Sequence, residues 1–243
     1  MNQTATSKAD RLLQGAFFFC AAIAIAASLL GDGHAIARWL HYLTKPTATL
    51  LLLVLVLRNV NAAHRSYALS IALGLGFAAA GDFFLMLPGD YFLFGLVCFL
   101  LTHCAYIHAL TRDARLAARW PVFLLFAIVA LAMVAGLWAA VPATMRLPVA
   151  AYAAVLAIMA AQAISRAIDL PPGTPARAGV RLAAVGGVLF MTSDTILAYG
   201  RFRWSIPGGA LWVLGTYYAA QWLFARSTLK GLGKTPSLKR EHS

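Results

Sequence analysis

The sequence predicts an all-α membrane protein, a bundle of eight transmembrane helices. Of its 243 residues 61% are hydrophobic and only 12% are charged, and the mean hydropathy of +0.76 lies outside the range of soluble globular chains. The apolar residues fall into runs of about 20, the length that crosses ~30 Å of hydrocarbon. Such runs are far too long for barrel strands, and in lipid a segment outside a barrel satisfies its own backbone only as a helix.

The runs are delimited one by one. The first, 12–30, follows Lys8 and Arg11 in the manner of a signal peptide, but its length and the lack of a soluble domain behind it predict a retained anchor. The second and third cover 36–57 and 67–87, and Pro88-Gly89 breaks the third from the fourth at 91–110. Arg119-Trp120-Pro121 opens the fifth (121–141), and Pro171-Pro172-Gly173 separates the sixth (147–167) from the seventh (180–200). Pro207-Gly208-Gly209 starts the eighth, 208–226, because proline and glycine punctuate helices. This divides the chain into a polar cytoplasmic N-terminus (1–11), a transmembrane domain (12–226) and a basic tail (227–243) expected to be disordered. Cys20, Cys98 and Cys104 lie inside runs, where cysteine acts as a small apolar residue. Trp39, Trp120, Trp204 and Trp212 fall near run ends and are expected in the interfacial belts.

Charge orients the bundle. Only Arg38, Lys45, Arg146, Arg201 and Arg203 fall on one side of this eight-span frame; the other fifteen of the twenty Lys and Arg fall on the side holding both termini. Cytoplasmic loops retain basic residues, so both termini are expected in the cytoplasm of a multi-pass protein of the bacterial inner membrane. The net charge of +12 is then a topology signal, and no nucleic-acid partner is implied. Oligomeric state is not legible.

Asp82 and Asp194 sit inside the third and seventh runs, where each charge costs about 2.5–3.5 kcal/mol on insertion. Each lies five or six residues before the outer end of its run, roughly 8–9 Å deep, within reach of a lipid's glycerol backbone. Each also follows a glycine by eight residues, Gly74 and Gly186, a likeness too thin to establish a duplicated four-helix unit.

The chain resembles the YhhN family of membrane proteins, which includes the lysoplasmalogenases. The resemblance rests on Lys45-Pro46-Thr47 opening the second run, Gly81-Asp82 with Leu85-Met86 in the third, and Phe94-Gly95 with His103 and Tyr106 in the fourth. Ser193-Asp194 in the seventh and Thr216-Tyr217-Tyr218 with Gln221 in the eighth complete it. It implies hydrolysis of the vinyl-ether bond of a lysoplasmalogen to a fatty aldehyde and a glycerophospho-base, with Asp82 and Asp194 as the catalytic pair and a lysolipid and membrane lipids as partners.

The residues suit that chemistry. A vinyl ether breaks when its β-carbon is protonated and water captures the resulting oxocarbenium ion, which asks for one neutral acid and one anion. Two neighbouring carboxyls in low dielectric resist double ionisation, so an embedded pair is expected to share a proton, with the roles divided as in glycoside hydrolysis. No metal or cofactor is required. Ser193 and Thr192 beside Asp194 suggest that it is the ionised member and Asp82 the acid, although the sequence alone leaves the roles undetermined. His103, Tyr106, Tyr217, Tyr218 and Gln221 are candidate cavity residues, and Lys45, placed near the outer end of its run, either meets a lipid phosphate or pairs with an aspartate. Phe83, Phe84, Leu85, Met86 and Phe190 are expected to accommodate one acyl-type chain.

Other readings keep the same residues. The aspartates can be a structural pair satisfied by Lys45, tyrosines and serines, and the remaining polar groups can be interhelical hydrogen bonds. A proton-coupled transporter also uses intramembrane acids, and a different lysolipid is a further alternative. A zinc hydrolase fits poorly, because only His41, His103 and His108 lie within runs, the last two pointing about 140° apart on one helix, and a zinc site needs about three converging ligands.

Overall fold

The computed structural model describes residues 7–31, 33–170, 174 and 176–230, and every long element among them is an α-helix. They are α1 (Lys8–Leu30), α2 (Ala35–Arg58), α3 (Arg65–Met86), α4 (Phe92–Leu110), α5 (Trp120–Leu137), α6 (Ala143–Asp169), α7 (Arg177–Phe202) and α8 (Gly209–Lys230). Ser7 caps α1 by accepting from the Asp10 amide at 3.1 Å, so the helix starts inside the segment expected to be the polar N-terminus. At the other end α8 continues to Lys230, four residues into the expected tail; residues 231–243, on which the expectation of disorder falls, lie outside the described residues.

The punctuation acts where the sequence places it. α3 ends at Met86 before Pro88, Gly89 turns at φ 122°, and Gly208 at φ 64° admits the chain to α8. Pro46 and Pro148 break nothing and lie inside α2 and α6, as is tolerated where neighbouring helices and Ser/Thr side chains satisfy freed backbone groups.

α1 to α7 are each long and apolar enough to cross a membrane, making the chain a multi-pass integral membrane protein. α8, 22 residues long, falls short of the other seven in apolarity. Its polar residues explain this, since Tyr217, Tyr218 and Gln221 are buried and thus directed into protein, where polar groups of membrane helices belong. Seven helices form a ring in the order α1, α2, α3, α4, α6, α7, α8; α8 closes it against α1 and also packs on α2 and α3, while α5 lies outside against α6 and α7. The four tryptophans expected in the interfacial belts, Trp39, Trp120, Trp204 and Trp212, are all exposed.

Small residues set the closest approaches. A Cβ on Gly187 would stand 3.2 Å from the Ala160 Cα of α6, and one on Gly186 would stand 3.2 Å from the Ala220 carbonyl oxygen of α8. These are backbone atoms, which no rotamer change can move aside, so α7 is clamped between its neighbours as small-residue interfaces in membranes usually are. Gly187→Leu is therefore expected to force α6 and α7 apart and destabilise the protein by about 1–3 kcal/mol, read as a lower melting temperature in detergent; an unchanged melt would show that this contact is not tight.

Candidate active site

The two aspartates occupy separate polar centres. Asp82 is 1% exposed and is met by α2 and α8. Lys45 and Thr49, one turn apart on α2, present Nζ at 3.6 Å from Asp82 Oδ1 and Oγ1 donating to Oδ2 at 2.8 Å, and the Tyr217 hydroxyl donates to Oδ2 at 2.7 Å. Lys45 stands ten residues after Ala35 and is buried, held by its counter-ion Asp82, the second of the two roles the sequence leaves open.

Asp194, on α7, keeps 10% of its side chain exposed. The Tyr152 hydroxyl of α6 donates to its Oδ2, and His103 Nε2 of α4 lies 3.0 Å from the same hydroxyl and 3.4 Å from the carboxylate oxygen. A hydroxyl has one proton to give, and since Tyr152 gives it to Asp194 it accepts from His103, which places the imidazole proton on Nε2. The buried Nδ1 of His103 has no partner among the described residues, the less costly arrangement because the orphan is then a lone pair and not an N–H. His103, Tyr152 and Asp194 thus form a directed chain across α4, α6 and α7.

No hydrogen bond joins the two carboxyls among the described residues, and every recorded partner of one differs from those of the other. Phe99 and Phe190 fill the space between, in edge contact with each other at 6.3 Å. Phe190 also meets His103 at 4.7 Å on one side and Tyr217 at 5.6 Å on the other. No proton is held in common through a hydrogen bond between them: Asp82 is met from α2 and α8, Asp194 from α4 and α6, so the acids look into different interfaces.

Two cavities flank the C-terminal third of α7. A narrow one of about 30 Å³, walled by Leu85, Phe92, Phe99, Met133, Phe202 and neighbours, has Asp194 and Tyr152 as its polar lining; it has room for a water molecule. A wider cleft of about 520 Å³ between α7, α8 and the first two helices has Lys45, His41 and Arg201 in its lining. Leu197 borders both.

The other candidates fall away from these centres. The Tyr106 hydroxyl donates to Gln221 Oε1 at 2.6 Å in the core, and the Tyr218 hydroxyl reaches the Lys45 carbonyl at 3.5 Å. Ser193 donates to the Val213 carbonyl and Thr192 to that of Val188, each at 2.9 Å. Neither hydroxyl serves Asp194, which removes the reason for taking it as the ionised member. Of the residues expected around the chain, Leu85 lines the narrow cavity, Phe190 is core and Phe83 is 50% exposed. Thr49 and Tyr152 were missed; Thr49 carried a signal, since it shares a helix face with Lys45 at i, i+4, whereas Tyr152 is a lone tyrosine among alanines.

The YhhN family model matches residues 40–228, most of the bundle. Among curated proteins the chain is 33% identical over 196 residues to lysoplasmalogenase TMEM86B of Rattus norvegicus, covering 80% of this chain and 76% of that protein. To lysoplasmalogenase TMEM86A of Homo sapiens it is 31% identical over 180 residues, covering 69% and 68%. No solved structure matches the chain. Both centres, from Lys45 to Tyr217, lie within the matched span, and the chain belongs to the YhhN family.

Proposed function

We propose that the protein is a membrane-embedded hydrolase that cleaves the vinyl-ether bond of a lysoplasmalogen-type lysolipid, with Asp194 as its acid. The observation that carries this reading is a carboxyl, oriented by Tyr152 and His103, that borders an otherwise apolar cavity with room for one water. The relatives named lysoplasmalogenases support the substrate class.

In this mechanism Asp194 protonates the β-carbon of the vinyl ether, giving an oxocarbenium ion beside the new carboxylate. The carboxylate stabilises the cation and takes a proton from the cavity water as that water adds, the acid-then-base exchange known from retaining glycosidases. The hemiacetal so formed collapses to fatty aldehyde and the free hydroxyl of the glycerophospho-base. One carboxyl therefore suffices at the reacting atoms. Asp82 acts at a distance as the anion that holds Lys45 beneath the wider cleft, where Lys45, Arg201 and His41 suit the lysolipid phosphate. The narrow cavity is closed to an acyl chain as it stands, so Leu85, Phe92 and Phe202 turn aside when substrate enters. We further propose that α8 is the eighth span and that both termini are cytoplasmic.

Asp194→Asn is expected to lower kcat for aldehyde release by about 10²–10⁴-fold with an unchanged melting temperature, measured on detergent-purified protein, which has no gradient to serve a transporter. Asp82→Asn leaves Lys45 an uncompensated buried cation and is expected to cost about 3–5 kcal/mol of stability as well as activity; normal turnover in the Asp194 variant would overturn the assignment. Tyr152→Phe removes the donor that orients Asp194 and should reduce kcat about tenfold or more, with KM within about twofold. For topology, a fluorescent reporter fused after Lys230 should be bright and an alkaline phosphatase fused there inactive; the reverse would invert the orientation.

A further inference from the structure

At the opposite end of the bundle from both carboxyls lies a larger cavity, about 830 Å³, formed by the ends of α3, α4, α6, α7 and α8. Its lining is basic: Arg65 and Arg112 are exposed there and the imidazoles of His64 and His108 add donors. The carboxylate in the lining, Asp113, is already engaged, since Arg166 donates to its two oxygens from Nε and Nη2, both at 2.7 Å. Arg166 is itself buried, with its guanidinium 4.8 Å from the ring centre of Tyr67, and the Tyr67 hydroxyl is 2.7 Å from Ser227 Oγ. This ionic and aromatic scaffold fixes the walls and leaves the two outer arginines without a carboxylate partner among the described residues.

We propose that this cleft is a second site, which binds the phosphate of an anionic lipid headgroup. Arg65 and Arg112 supply the charge, Ser66 and Ser70 line the same opening, and the acyl chains lie along Leu69 and Leu73, which are 40% and 57% exposed on the same face of α3. A phosphate group is the anion that suits paired guanidinium forks, and basic pockets between helix ends are where headgroups of anionic lipids are held. The hydroxyls and the apolar strip together distinguish this cleft from the general basic character of that end of the protein. The site is independent of the hydrolase reading and leaves the carboxyl centres untouched.

The test is competitive lipid retention. Full-length protein is reconstituted in nanodiscs of phosphatidylcholine containing phosphatidylglycerol, released gently, and its retained lipids are counted by native mass spectrometry. Wild type should enrich phosphatidylglycerol, and R65A/R112A should lose about tenfold of that enrichment, whereas R65K/R112K stays within about threefold of wild type and R11A/R115A, which removes equal charge outside the cleft, keeps it. A parallel melt in neutral detergent with inorganic phosphate against chloride at matched ionic strength separates the sources. A phosphate-specific rise lost in R65A/R112A, without lipid enrichment, assigns the cleft to free phosphate and overturns the lipid proposal. No enrichment in wild type, or equal loss in R11A/R115A, overturns it as well.

Discussion

The ion pair between Lys45 and Asp82 governs the arrangement of the ring. Neither charge is sustainable alone at that depth, since removing a partner from a buried pair leaves several kcal/mol uncompensated, so α2 and α3 must stay in the register that joins them. Thr49 and Tyr217 occupy further acceptor positions on the same carboxylate, and because Tyr217 comes from α8, this one centre also draws the last helix inward. The polar character of α8 follows from that duty.

The Asp82 centre holds three helices together, and the centre that retains access is the other one. Asp194 differs in kind: its partners come from α4 and α6, its hydrogen-bond chain is directed, and part of its side chain meets empty space. Phe99 and Phe190 keep the two centres from merging, so each carboxyl answers to its own set of partners.

Helix number and limits were largely legible in the sequence, because most of the apolar runs end at or beside a proline, glycine or basic residue. The ends of α3 and α4 were placed within two residues. Side-chain facing was not legible. The sequence left Lys45 either a lipid phosphate or an aspartate as partner, and only the packing of α2 on α3 shows that it meets Asp82. Ser193 and Thr192 looked like donors for Asp194, but hydroxyls on helices bond back to carbonyls one turn earlier or cross to a neighbour, as these do. Tyr152 gave no signal because its importance comes from its meeting with α4 and α7, a property of three helices and not of any one of them.

Leu197 lines both cavities beside α7. On one side of it lie the cations suited to a phosphate, on the other the acid. Rotation of this one side chain changes the shape of both chambers at once, and side-chain rotations are far faster than shifts of whole helices. The bulk of this one residue therefore sets how far apart the cationic cleft and the carboxyl-lined cavity stand.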